Sequence, residues 1–329
     1  MPRNLLTDVA GIAVGHAEDL HLGSGVTAIV FDRPSVAAVS VLGGAPGGRD
    51  TDMLAPQNTI EAVDAIVLSG GSAFGLDAAG GVQAALREQG RGIAIRDVRV
   101  PIVAQAIIFD LTNGGNKDWG RFSPYRDMGY AAAGAVGREF ALGSVGAGTG
   151  ATTATVKGGL GSASAVTSHG HTVAAIIVVN AVGSATIGDG PCFWAFPYEQ
   201  ENEFGGRGGP EVFDLMPRLK GGPGTGTTIG LVATDATLTR PQALRLAIMA
   251  HDGLARAVLP AHAPLDGDTI FAAATALRPL AQPVPELTEL GHAASLVVAR
   301  AIARGIHAAD ALPVPSAQRA WRDRFPSPA

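Results

Sequence analysis

Forty-five of the 329 residues are glycine, roughly twice ordinary usage, and they lie scattered among Ala, Val and Thr with no G-X-Y period and no Gly/Ser tract. A collagen-like rod and a flexible linker are both excluded by that dispersal. Aromatic residues make up only 5%. Small side chains let secondary-structure layers approach closely, and many glycines permit tight turns and backbone beside a ligand. Apolar residues reach 47% and charged residues only 16%, so a disordered chain is excluded as well.

Charge and cysteine usage narrow the partners. Twenty-four Lys and Arg stand against 29 Asp and Glu, a net charge of −5. No basic surplus exists to neutralise a phosphate backbone, so no nucleic-acid partner is expected. Cys192 is the one cysteine, which excludes an intramolecular disulfide and any multi-cysteine metal site. The opening stretch MPRNLLTDVAGIAVGHAEDL lacks the apolar run and cleavage site of a secretory signal. The longest apolar stretches, 173–179 and 293–303, are too short or too interrupted to span a bilayer. A soluble, cytoplasmic protein with no membrane partner is expected.

Short β-branched runs predict strands over 11–14, 26–31, 36–42, 65–68, 105–110, 150–157, 161–168 and 172–180. Helices are predicted over 72–89, with Ser72 as N-cap, and over 127–141. The segment 192–225 is polar, Gly/Pro-rich and without a period, and reads as a surface loop. A strand over 227–234, a helix over 241–257, a strand over 269–275 and a helix over 286–307 complete the chain. This order suits sheets sandwiched by helices better than strict βαβ alternation.

Several short motifs carry possible chemistry. The loop GGPGTG runs directly into TTIGLVAT, so Gly226 precedes Thr227 at the mouth of a buried strand. One reading is an ordinary loop and strand start. The other is a self-cleaving N-terminal nucleophile, which needs a Thr, Ser or Cys after a strained peptide bond that glycine tolerates. Asp266-Gly267-Asp268 is either a turn or a carboxylate pair aimed to one side of a strand entry. Ser72, in SGGSAFG, misses the G-x-S-x-G elbow by one residue, and a strand–turn–helix explains it equally well. GGAPGGRDTD lacks the ending of a P-loop. Lys157 is a lone lysine before two glycines, and Asn180 interrupts the apolar run IIVVNAVG, where a buried amide must find partners or donate to an oxyanion. His169 and His171 form H-x-H with no third ligand in view, so no metal is expected.

Taken together, LTDVAGIAVGHA, GGAPGGRDTD, VLSGGSAFGLDAAGGV, VGAGTGATTATVKGG, VVNAVG, GTTIGLVATDA and DGDTIFA appear in an order that resembles the L-aminopeptidase/D-esterase (DmpA-type) family, which includes the nylon-oligomer hydrolases. The resemblance spans nearly the whole chain. It implies an αββα sandwich of N-terminal-nucleophile-hydrolase type, one catalytic domain over 1–329, self-cleaved into chains 1–226 and 227–329. It implies amide hydrolysis of small peptides or ω-amino-acid oligomers, no cofactor, and homo-oligomers, tetramers of αβ units. The family's nucleophile falls on Thr227, its carboxylates on Asp266 and Asp268, its lysine on Lys157 and its asparagine on Asn180. Gly71, Ser72 and Phe109 are expected to line the pocket. The nylon-hydrolase branch has Tyr where this chain has Phe109, and Asn where it has Gly226, so no phenolic hydroxyl is available there. The alternatives are a non-catalytic small-molecule-binding scaffold on the same fold and a serine hydrolase using Ser72.

Overall fold

The computed structural model describes residues 3–221 and 226–326; most of the GGPGTG loop, 222–225, lies outside them. In chain order the elements are β1 (Ile12–Asp19), β2 (Ser24–Val41), β3 (Gly48–Arg49), β4 (Ala62–Ser69), α1 (Ser72–Gly75), α2 (Ala78–Glu88), β5 (Ile93–Ile95), β6 (Val98–Val100), β7 (Val103–Ile107), α3 (Tyr125–Gly134), β8 (Gly159–Val166), β9 (Thr172–Asn180), β10 (Thr227–Ala236), α4 (Arg240–Ala257), β11 (Thr269–Arg278), α5 (Pro283–His307) and α6 (Trp321–Arg324).

Four layers follow from how alternate residues of the strands are buried. On β9, Val173, Ala175, Ile177 and Val179 face α4 and α5, packing on Leu246, Leu254, Val298 and Ile302. The intervening Ala174, Ile176 and Val178 face inward, meeting Ile29, Phe31, Ile66 and Leu68. On β4, Ala65 and Val67 turn the other way, onto Ala79, Val82 and Ala132 of α2 and α3. Strand periodicity therefore gives each sheet two apolar faces, and the order is helices, sheet, sheet, helices: the αββα sandwich.

The two sheet layers are hydrogen-bonded into one nine-stranded sheet. The strands expected over 26–31 and 36–42 are a single 18-residue β2. Its first half pairs with β1 and β4, and its second half with β11. The β2–β4 register shifts between Val30 and Ser35, where Asp32, Arg33 and Pro34 are exposed. Proline in a strand is tolerated where the ladder is already broken. The small-residue composition has its use here: a Cβ on Gly161 of β8 would sit 1.9 Å from the Ala301 carbonyl of α5, so strand and helix touch through backbone.

Three expected elements differ. Residues 150–157 form no strand; a Thr153–Val156 turn folds them back, leaving only a Thr152–Lys157 bridge. The helix over 72–89 is broken into α1 and α2, and its cap is Gly71 in the left-handed region, with no side-chain cap from Ser72. The helix over 127–141 stops at Gly134 because Gly137 pairs with Val14 on the edge of β1. Among the described residues, no helix is long and apolar enough to cross a membrane.

Candidate active site

Strand β10 lies between β9, antiparallel to it, and β11, parallel to it. The last residue of β9, the first of β10 and the turn entering β11 therefore share one sheet edge. Thr227 opens β10 opposite Asn180, which closes β9. Gly226 bridges Asp266 in parallel; its N–H donates to the Leu265 carbonyl (3.2 Å), and its own carbonyl accepts from the Gly267 N–H (3.1 Å). The Thr227 hydroxyl donates to that same Gly226 carbonyl. A Cβ on Gly226 would fall 2.1 Å from the Val182 nitrogen and 2.5 Å from Asp266 Oδ1, so only glycine fits before Thr227.

Both carboxylates are buried and engaged by backbone. Asp266 Oδ1 accepts from the Val182 N–H (3.1 Å) and Oδ2 from the Ala263 N–H (3.0 Å). Burial first, and the neighbouring Asp268 second, hold its carboxyl above the usual range. Asp268 Oδ1 accepts from the Thr228 N–H (2.7 Å); Oδ2 accepts from the His262 N–H and bonds His262 Nδ1, each at 2.9 Å. The GGAPGG loop clamps this turn: Leu42 and Gly43 donate to the Asp268 carbonyl, and Ala45 to that of Asp266. That motif therefore serves the site through its backbone.

Asn180 is fully buried. Its Nδ2 donates to the Phe109 carbonyl (3.0 Å), and its Oδ1 accepts from the Thr152 N–H (3.0 Å) and Lys220 Nζ (3.0 Å). Those donors fix the amide's orientation and leave one Nδ2 hydrogen unassigned. Phe109, just past β7, lines a cleft of about 190 Å³ with Asp110, Thr112, Asn113, Thr152 and Lys220.

Lys157 is buried: its Nζ donates to the carbonyls of Gly148 (3.1 Å) and Gly158 (3.0 Å), and burial pushes it down to about 7, with Asp110 drawing it back up. The cation acting on Asp266 is Lys220. Gly71 donates to Asp110 Oδ1 (2.7 Å), and Ser24 Oγ to Asp110 Oδ2 (2.6 Å); burial raises the Asp110 carboxyl. Ser72 is half-exposed, and among the described residues its hydroxyl bonds no histidine or carboxylate. No cluster among the described residues is suited to a metal ion.

Sequence reasoning passed over Lys220, His262 and Asp110. Lys220 stood inside RLKGGPGTG and read as loop polarity. His262 lay six residues before Asp268, in no recognised spacing. Asp110 was taken as the end of a strand.

The architecture and this edge can be set beside known proteins. The model of peptidase family S58 matches residues 4–320. The chain belongs to peptidase family S58. An uncharacterised aminopeptidase of Mycobacterium tuberculosis (strain ATCC 25618 / H37Rv) is 42% identical over 350 residues, covering 98% of each chain. A 6-aminohexanoate-oligomer endohydrolase of Kocuria sp. (strain KY2) is 29% identical over 288 residues, covering 82% of this chain and 74% of that protein. In three dimensions the chain resembles the L-aminopeptidase D-Ala-esterase/amidase of Ochrobactrum anthropi, described as a variant of the Ntn-hydrolase fold, with a TM-score of 0.71 at 20% identity over 97% of this chain and 91% of that one. The family S58 assignment makes the chain an amide hydrolase of the aminopeptidase type.

Proposed function

We propose that this family S58 protein is an autoprocessing amide hydrolase whose nucleophile is Thr227, released as a new N-terminus by cleavage of the Gly226–Thr227 bond. The observation that carries the reading is the doubly held Gly226 carbonyl, which accepts from both the Thr227 hydroxyl and the Gly267 N–H. A nucleophile resting on the carbonyl it attacks has little translational freedom left to lose. A backbone donor on the same oxygen is placed where negative charge develops.

In maturation, Thr227 Oγ bonds to the Gly226 carbonyl carbon as its proton passes to the Thr227 nitrogen, and the carbonyl oxygen becomes an oxyanion held by Gly267. The C–N bond then breaks with that proton kept on nitrogen, and an ester remains. Water hydrolyses that ester to the Gly226 carboxylate and the free Thr227 hydroxyl. The new α-amine, with a reference pKa of about 7.7–8.0, is then the base for substrate attack. Asp268 fixes the following residue through the Thr228 N–H, and His262 fixes Asp268. Asn180, opposite Thr227, supplies the remaining Nδ2 hydrogen to the substrate oxyanion.

The substrate class is short peptides with a free N-terminus. The relative carrying the higher identity is named an aminopeptidase, and that name supports peptides over ω-amino-acid oligomers. Intact-mass measurement of purified protein tests the maturation step: fragments 1–226 and 227–329 are expected without added protease, the second beginning TTIGLVAT. Thr227→Ala is expected to stay full length and to hydrolyse no peptide anilide. A Thr227→Ala chain that still splits at this bond would transfer the assignment to another nucleophile.

A further inference from the structure

Maturation by Thr227 leaves one requirement unmet. Once the bond is cut, the freed Thr227 amine can take up a proton beside the carboxylates, but in the uncleaved chain that nitrogen belongs to a peptide and carries no charge. The buried Asp266 then needs another cation, and Asn180 needs another partner for its oxygens.

The segment Asn180–Val182 is where both needs meet. Gly226 packs against it on one side, since a Cβ there would lie 2.7 Å from the Ala181 carbonyl carbon as well as against the Val182 nitrogen. Lys220 docks on it from the other: its N–H donates to the Val182 carbonyl (2.9 Å), and its Nζ donates to the Asn180 carbonyl (2.8 Å) and to Asn180 Oδ1 (3.0 Å). Val182 in turn donates its N–H to Asp266 (3.1 Å). Thr227 stands directly opposite Asn180 in the β9–β10 register. One lysine thus holds the residue facing the nucleophile and bears on the carboxylate beside the scissile bond.

Resting on the Thr227 reading, we propose that Lys220 is the positioning cation of the uncleaved chain, holding Asn180 opposite Thr227 and balancing Asp266 until the bond is cut. Burial of its ammonium pushes it down to about 7, with Asp266 and then Asp110 drawing it back up. Lys157 faces the same group as a like charge. Protonation of Lys220 is therefore lost as pH rises through neutrality, and its service to cleavage is lost with it.

The test follows the rate of chain splitting in full-length protein made by cell-free synthesis, from pH 6 to 9. Wild type, Lys220→Met, Lys220→Arg and Thr227→Ala are compared, with unfolding temperature as a check on folding. At pH 6.5, Lys220→Met is expected to split about tenfold or more slowly than wild type, and Lys220→Arg within about threefold. Above pH 7 the Lys220→Arg chain is expected to gain on wild type, approaching tenfold per pH unit, because the guanidinium stays charged. A merely structural lysine would leave that ratio flat. Wild-type splitting by Lys220→Met, a flat ratio, or a folded Lys220→Arg chain that never splits would each overturn the proposal. Splitting of Thr227→Ala would instead overturn the nucleophile assignment on which it rests.

Discussion

Gly267 offers the most direct test of the proposed attack geometry. It sits between the two carboxylates, and its N–H holds the Gly226 carbonyl. A Cβ added there would lie 2.9 Å from Thr227 Oγ1, 3.2 Å from Thr227 Cγ2 and 2.9 Å from the Ala45 carbonyl oxygen. Ordinary contact begins at 3.4 Å, so each side must open by about 0.5 Å, and the methyl cannot escape one neighbour without closing on the other. The relief falls on the threonine hydroxyl or on the clamp formed by the GGAPGG loop. A displacement of about 1 Å in a reacting group costs about 10²-fold in rate. Overpacking of this kind costs about 1–3 kcal/mol in stability. At about half that displacement, Gly267→Ala is therefore expected to fold with a lowered unfolding temperature and to split about tenfold more slowly. The assay is a time course of intact mass after synthesis, with thermal unfolding of the Thr227→Val and Gly267→Ala/Thr227→Val chains, which keep the threonine's bulk and lack its hydroxyl, to isolate the stability term. Splitting of Gly267→Ala at the wild-type rate would refute the claim that Thr227 must rest on the Gly226 carbonyl.

Other consequences are accessible to simple measurements. Thr228 is buried, and among the described residues its hydroxyl has no partner, while its N–H to Asp268 belongs to the backbone; Thr228→Val is expected to split normally and to be as stable as wild type or more so by up to about 1 kcal/mol in denaturant unfolding. The folded-state pKa of Lys157, near 7, lies below that of an unfolded lysine, so the unfolded chain binds the extra proton between the two values and stability rises with pH there. In the uncleaved Thr227→Ala background, the unfolding free energy of the chain keeping Lys157, minus that of Lys157→Met, is expected to climb from pH 7 to 10 by roughly 1 kcal/mol per unit; a constant difference would contradict the buried, depressed lysine. Val212, Phe213, Leu215, Met216 and Leu219 are all exposed within one short stretch. Apolar clusters of that kind favour self-association, so light scattering is expected to give a mass above the 33.2 kDa of one chain at micromolar concentration, and a monomer would refute it.

Legibility differed between backbone and side chains. The runs over 172–180 and 227–234 were plain as strands because both faces are apolar, and a strand buried on both faces reads as a continuous apolar run. The two-layer sandwich was legible from element order. The single long β2 was not, since Asp32-Arg33-Pro34 reads as a break and only the partner strands reveal that the chain continues through it. Residues 150–157 misled for the opposite reason: Thr and Val there satisfy a turn and a bridge, and β-propensity records fit to a surface rather than pairing itself. At the site, Thr227, Asp266, Asp268 and Asn180 stood in motifs that could be read along the chain. The placement of Lys157 Nζ on the Gly148 and Gly158 carbonyls, and of Lys220 Nζ on Asn180, depends on how the 143–158 and 205–221 loops close, which no periodicity encodes.

The topology explains why these residues meet. Asn180 ends a strand, Thr227 begins the next, and Asp266 and Asp268 flank the entry to a third. Antiparallel pairing of β9 with β10 brings an end to a beginning, and parallel pairing of β10 with β11 brings two beginnings together. Both pairings deliver to the same edge, whatever the length of the intervening loops. Register then selects the reacting residue. Thr227 and Thr228 are chemically alike, yet they point to opposite faces, and only Thr227 lies across from Asn180 with its hydroxyl on the Gly226 carbonyl. A slip of one residue would present Thr228 instead and turn every inward side chain of β10 outward. The register is fixed by Ile229, Leu231 and Ala233 in the core between the sheets, with Val232 and Ala236 under α4 and α5. The apolar pattern downstream of the cleavage site therefore decides which threonine faces the bond to be cut.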